Sequence, residues 1–357
     1  MAERRDEQRS RTAGCLWFVL GLAIGVPLLA LCGLTMLGPP TIETCVFTLA
    51  VLLGVVAGVA SPWRRTRPLG LAALALATAV VLYRWFAAAE GATVHAMTGP
   101  HGGKSRGLDR IVPERDVAIG GTVLLLATGR MPEDEPGLLD ALRDGYSRMR
   151  RAEGPVPSPV VGTFLLGQRP DEHALLRVAP PRYEPPDAVV VFLHGFIGNV
   201  TLLCWQVAQA ANPVGLDVVC PSMHWEAEWA SPDGRETVER TIAALRESGT
   251  RRIYLAGLSA GAIGASLLAP ELDVDGVILI SGASSQARAP GEPALVLQGA
   301  RDRMTPAEPA RRYARLAGAE YREHPEAGHW LVLSHHEWVV EHIRRWLAAQ
   351  EGLGTLH

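Results

Sequence analysis

The stretch "IYLAGLSAGAIG", residues 253–264, decides the reading of this chain. Its first four residues suit a buried strand, a tight Gly-Leu-Ser-Ala-Gly follows, and a run of small residues then suits a closely packed helix. Gly257 and Gly261 stand two positions on either side of Ser259, the G-x-S-x-G spacing. That spacing has a steric cause: the serine occupies a strained turn, and residues without side chains let the turn press against neighbouring backbone, leaving the hydroxyl exposed. The same turn points the N-terminus of the following helix at developing negative charge. A bland alternative competes with this, in which Ser259 is only a small residue where a strand becomes a packed helix. The five-residue pattern is too short to decide the matter alone, so its context must.

Working outward from that turn, apolar runs and helical periodicities alternate. "AVVVFLHG" is a continuous apolar run from residue 188, as expected of a strand buried on both faces of a parallel sheet. A helix at 202–211, the strand "LDVVC", the helix "ETVERTIAALRESG", the strand ending in Ser259 and a helix at 260–268 follow. "DGVILISG", "PALVLQG", "AEPARRYARLAG", "EYREHP" and "HEWVVEHIRRWLAAQ" complete the series. Such alternation predicts right-handed crossovers and a largely parallel sheet covered by helices, with ligands at the carboxyl ends of the strands. A serine hydroxyl is a weak nucleophile and needs a histidine oriented by a carboxylate. Asp302, in the loop after "ALVLQ", and His329, between the last strand and the last helix, supply both in the order Ser, Asp, His that this elbow requires. His324 lies in a strand, His335 and His336 open the final helix, and Asp273 and Asp275 fall at the opposite end of the sheet, so each is the poorer candidate.

With these residues in place, the chain resembles an α/β-hydrolase over about residues 160–350, through "FLHGF" at 192–196, "GLSAG" at 257–261, "QGARD" at 298–302 and "AGHW" at 327–330. The resemblance implies an α/β fold with a mostly parallel sheet and helices on both faces. It implies Ser259 as nucleophile, Asp302 as orienting acid and His329 as general base, with an oxyanion hole made by the backbone N–H groups of Phe196 and Ala260. His194 is then a structural member of the His-Gly turn. It implies no cofactor and no metal. Only "GASSQARAPGEP" separates two strands where many relatives insert a helical lid, so no lid is expected and the site is open. Ile197, Trp225, Trp229 and Trp330 are candidates for lining a substrate pocket; for Trp225 and Trp229, packing their loop down is an equal alternative.

The first ninety residues read differently. After a polar start at 1–12, apolar runs at about 15–38, 42–60 and 69–89 are expected to form three transmembrane helices within 13–89. A cleaved signal peptide and buried core helices are the competing readings, and three runs in so short a stretch argue against both. Arg4, Arg5, Arg9 and Arg11 precede the first run and Arg64, Arg65 and Arg67 lie between the second and third, while "PPTIE" has no basic residue. That asymmetry puts the N-terminus inside and everything after Glu90 on the outer side, with Arg84 as the one discordant charge. Residues 90–118 read as a linker and 119–350 as the hydrolase domain, within which "AIGGTVLLLATG" and the two halves of "VVGTFLLGQRPDEHALLRVAPP" are expected to be strands.

A net charge of −3 offers nothing to nucleic acid. Of five cysteines, Cys15, Cys32 and Cys45 lie in the apolar runs, and no Cys/His cluster suggests a metal. Cys204 and Cys220 are free to pair if the domain faces an oxidising compartment. The expectation is a multi-pass membrane-anchored serine hydrolase acting on the ester, thioester or amide of a small-molecule acyl substrate. An acyltransferase, a peptidase or a non-catalytic binding module on the same scaffold are the competing classes.

Overall fold

In the computed structural model, residues 18–19, 21–30, 32–36, 40–59, 67–98, 107–132, 135–166, 169–180, 186–196 and 200–354 are described. The chain divides into two compact units, one comprising Met1–Ala87 with Ile119–Ala127, the other Ala88–Ala118 with Thr128–His357.

In the first unit, Ile42–Val59 and Pro68–Ala87 are helices long and apolar enough to cross a membrane, with mean hydropathies of 2.2 and 1.7. The predicted span 15–38 lies partly outside the described residues. "AIGGTVLLLATG" is not a strand: it belongs to a helix, Glu114–Ala127. Its short apolar run carries no period that separates strand from helix, and at Gly120 a side chain would stand 3.7 Å from the Leu34 side chain of the same unit.

The second unit is built on an eight-stranded sheet of β1 (Val94–Thr98), β2 (Ala174–Val178), β3 (Ala188–Leu193), β4 (Asp217–Pro221), β5 (Arg252–Leu258), β6 (Gly276–Ile280), β7 (Ala294–Gly299) and β8 (Glu320–His324), in the order β1-β2-β4-β3-β5-β6-β7-β8. β1 with β2 and β2 with β4 run antiparallel; every other neighbouring pair is parallel. The sheet therefore begins inside the segment read as a linker, where Val94 pairs with Val178. A five-residue edge strand carries too little alternation to stand out in sequence. Residues 162–166 form a helical turn rather than a strand, so only the second half of that stretch joins the sheet.

β3, β4, β6 and β7 are buried at every position, and since successive side chains point to opposite faces, both faces are covered. On one face Val191, Leu255, Val277 and Val296 pack with Val238, Ala262 and Tyr313 from the helices Pro232–Glu247, Ala260–Leu268 and Ala307–Ala317. On the other, Tyr254 meets Trp346 of the helix His336–Gln350 edge-on at 5.7 Å. The 13-residue connection from β6 to β7 holds no helix, so no lid is inserted there.

Residues between β1 and β2 fix themselves to this sheet through buried carboxylates. Glu153, at the end of the helix Leu138–Glu153, accepts from Thr93 N–H at 2.8 Å, Thr93 Oγ1–H at 2.7 Å, Val94 N–H at 3.2 Å and Trp205 Nε1–H at 3.0 Å. Burial pushes its pKa up, yet these donors outweigh it and hold it below the usual glutamate range. Glu114 accepts from Thr201 and Leu202 N–H at 2.9 and 3.1 Å, closing the N-terminus of the helix Val200–Ala211, and also from the Tyr146 and Ser158 hydroxyls.

Cys204 in that helix and Cys220 in β4 form a disulfide, with both side chains buried. It closes a loop with a sequence separation of 16, for which the chain-entropy account gives about 3 kcal/mol. Replacing both cysteines by serine is expected to lower the stability of the purified chain by about 2–4 kcal/mol. Thermal melts that coincide for wild type and variant would contradict this.

Candidate active site

Ser259 connects β5 to the helix Ala260–Leu268 with φ 55° and ψ −118°, a left-handed conformation that non-glycine residues rarely adopt. The flanking glycines make it tenable. A Cβ on Gly257 would stand 2.3 Å from the Gly261 carbonyl oxygen, and one on Gly261 would stand 2.0 Å from the Leu193 carbonyl oxygen. No side chain fits either place, so the predicted steric cause of the G-x-S-x-G spacing is visible as contact distances. Ser259 N–H donates to the Ile280 carbonyl at 2.9 Å and its carbonyl accepts from Ile263 N–H at 2.9 Å, which ties the turn to β6 and to its own helix.

The structure brings the three separated residues together. Ser259 Oγ lies 2.9 Å from His329 Nε2, and His329 Nδ1 lies 2.9 and 3.1 Å from the two oxygens of Asp302. With the ring proton on Nδ1, that N–H donates to Asp302 and Nε2 accepts from the serine hydroxyl. All three are buried, with Ser259 8 % exposed. The Asp302 carboxylate also accepts from Met304 and Thr305 N–H at 2.9 and 2.8 Å, from Gln298 Nε2–H at 3.0 Å and from the Thr305 hydroxyl at 2.7 Å. Burial pushes its pKa up, but the hydrogen bond and charge of His329, with the Thr305 donors, hold it below the usual range. The Asp302 carboxylate therefore stays ionised at neutral pH.

Thr305 and Ser281 belong to this network, and the sequence reading missed both. The Thr305 hydroxyl also lies 2.7 Å from the Ser281 carbonyl and 3.1 Å from His329 Nδ1, and Ser281 Oγ–H donates to the His329 carbonyl at 2.7 Å. Thr305 had a local signal, since an aspartate that accepts backbone N–H two and three residues on is a recurring turn device. Ser281 had none, lying 48 residues from its partner.

His194 is buried, its Nδ1–H donating to the Gly195 carbonyl at 2.8 Å and its Nε2 accepting from Met223 N–H at 3.2 Å. It is the structural residue the sequence suggested, tying its turn to the loop after β4. Trp229, weighed as a pocket residue or a packing residue, is the latter: it is 1 % exposed and its Nε1–H donates to the His194 carbonyl at 2.9 Å. Trp225 is half-buried, and its ring stands 5.1 Å from that of Phe196, which is 39 % exposed. Trp330 is buried and edge-on to His329 at 5.3 Å. Ile197 lies outside the described residues. Gly195, preceding Phe196, comes close enough to Ser259 that a Cβ on it would stand 3.2 Å from the serine Cβ. Ala260 opens its helix, where a backbone N–H has no intrahelical acceptor. The His324 and His335 rings are tilted at 46° to each other with centroids 4.0 Å apart. Among the described residues, no group of His, Cys, Asp and Glu is arranged to hold a metal.

No protein-family model matches the chain, and no curated protein matches it. Several solved structures are similar in fold. Est1E from Butyrivibrio proteoclasticus, with ferulic acid bound, is 16% identical with a TM-score of 0.43, over 51% of this chain and 97% of that one. The hyperthermophilic esterase from the archaeon Pyrobaculum calidifontis is 18% identical with a TM-score of 0.41, over 52% and 82%. A lidless a/b serine hydrolase from Xanthomonas campestris is 18% identical with a TM-score of 0.40, over 48% and 89%. Any functional reading therefore rests on the side chains around Ser259.

Burial lowers the pKa of His194 from 6.5 to about 4, despite the bond to the Gly195 carbonyl. Between those two values the unfolded chain binds a proton that the native chain refuses, so stability is full above pH 6.5 and falls as pH drops toward 4. The loss is about 3 kcal/mol. The melting temperature of His194→Gln is expected to fall less steeply over that window than that of wild type. Parallel curves would mean that His194 is protonated in the native state.

Proposed function

We propose that this chain is a membrane-anchored serine hydrolase in which Ser259 is the nucleophile, His329 the general base and Asp302 its orienting acid. The observation that carries the reading is the continuous line from the Ser259 hydroxyl through His329 to Asp302, at 2.9 Å in each link.

In the first step Ser259 Oγ attacks the carbonyl carbon of an ester, thioester or amide while its proton passes to His329 Nε2. The imidazolium is stabilised by the ionised Asp302. The carbonyl oxygen becomes an oxyanion, for which the N–H groups of Ala260 and Phe196 are the donors, each worth about 3 kcal/mol in sites of this kind. Collapse of the tetrahedral adduct expels the alcohol, thiol or amine, which takes the proton from His329 and leaves an acyl-serine. Water then attacks the acyl carbon, giving one proton to Nε2; the bond from Ser259 Oγ to that carbon breaks, the proton passes from Nε2 to Oγ, and the acid departs with Ser259 restored. No step requires a metal or cofactor.

The half-buried Trp225 and the exposed Phe196, together with the absence of a helix between β6 and β7, support a substrate with a small or accessible acyl group. Membrane anchoring is supported by the two apolar helices, whose Ile42, Leu71 and Phe86 side chains are 83%, 68% and 78% exposed. The disulfide and the distribution of arginines both support a hydrolase unit on the outer, oxidising side.

Ser259→Ala is expected to abolish labelling of the full-length chain by a fluorophosphonate, and His329→Ala to cut turnover of p-nitrophenyl acetate by about 1,000-fold or more. Undiminished labelling of the serine variant would remove Ser259 from the mechanism.

A further inference from the structure

Residues between β1 and β2 carry a buried carboxylate that reaches the loop bearing His329. Glu135 is 6% exposed. Its Oε2 accepts from Trp330 N–H at 2.7 Å, and its Oε1 accepts from the Ser334 hydroxyl and lies 3.7 Å from His335 Nδ1. The carboxylate thus bridges the two ends of the short helix Leu331–Ser334, taking the N–H of Trp330, the residue immediately after His329, and the hydroxyl of Ser334. On the other side of the same peptide, the His329 carbonyl is held by Ser281 Oγ–H at 2.7 Å. The Trp330 ring stands edge-on to the imidazole, at 88° between planes, so a turn of the 329–330 peptide moves both rings.

We propose that Glu135 is a positioning residue for His329, an assignment that rests on the triad reading above. The His329 side chain is aimed by Asp302 and Thr305, but neither holds the backbone from which the ring projects. Ser281 and Glu135 do, one through the carbonyl of residue 329 and the other through the next N–H. The requirement is geometric, because Nε2 must face the serine hydroxyl within hydrogen-bond reach in every cycle, and a misplacement of about 1 Å can cost a hundredfold in rate. It is also specific to this atom pair: a glutamine in the same place can offer its amide oxygen to Trp330 N–H, whereas an alanine leaves that donor without a partner.

The test uses full-length protein in detergent, with p-nitrophenyl acetate as substrate and a fluorophosphonate to count active sites. Glu135→Ala is expected to lower kcat per titrated site by about ten- to a hundredfold with KM within about twofold. Glu135→Gln is expected to restore kcat to within about threefold of wild type, since it keeps the acceptor. Equal kcat per titrated site in wild type and Glu135→Ala would overturn the assignment. So would a loss in Glu135→Ala confined to the number of titratable sites, which marks a contribution to folding only. A Glu135→Gln variant as slow as Glu135→Ala would overturn it too, because charge rather than the held N–H would then matter. Ser259→Ala labelled as fast as wild type defeats the triad reading itself, and with it this assignment, and is seen in a separate variant.

Discussion

Everything around the candidate site depends on how closely the backbone of Gly261 approaches the carbonyl of Leu193. A Cβ there would stand 2.0 Å from that oxygen, so the end of β3 and the first turn of the helix after β5 meet without a side chain between them. This contact holds Ser259 in its left-handed turn and keeps the loop at 194–196 beside it. The strain at Ser259 is of the order of 1–3 kcal/mol for a non-glycine residue, and it persists because the surrounding backbone leaves no alternative. A buried helix start and a neighbouring loop converge on one hydroxyl.

The second constraint is the handling of buried charge. A carboxylate taken from water is costly unless its oxygens are met by donors. Asp302 has its backbone, Gln298, Thr305 and His329 donors, and its pKa stays low in spite of burial. Glu114, Glu135 and Glu153 follow the same logic away from Asp302, each accepting main-chain N–H from another part of the unit. Residues 135–153 are therefore tied to β1, to the helix Val200–Ala211 and to the turn after His329 by satisfied carboxylates. Such groups are demanding, since losing one partner leaves the other buried and unmet. That gives this segment a defined place relative to the helix after the loop at 194–196 and to the turn after His329.

Much of the sheet was legible in the sequence because parallel strands buried on both faces read as continuous apolar runs, and β3 to β7 are such runs. Ser259, Asp302 and His329 were legible for a related reason: each follows a recognisable strand, and connections at the carboxyl ends of parallel strands converge in space. The segment before β2 was not legible. β1 is a short edge strand, and "AIGGTVLLLATG" is equally apolar as strand or helix, so its state depended on its neighbours. Trp225 and Trp229 lie four residues apart in one loop, yet one is half-buried beside Phe196 and the other is sealed beneath His194. Local pattern carries no information about which of two loop aromatics faces inward.

What the sequence by itself determined is the chemistry on offer and its order along the chain: a serine between glycines, an acid and a histidine after later strands, and apolar runs long enough for a bilayer. These follow from local sterics and from periodicity, which act over a few residues. What only the tertiary structure decided is which distant polar groups meet. Ser281 with His329, Glu114 with the helix at 200–211 and Glu135 with Trp330 are pairings across 48, 87 and 195 residues. A buried donor bonds to whichever acceptor the packing brings within about 3 Å, and that choice is made by the packed sheet and helices rather than by any stretch of sequence.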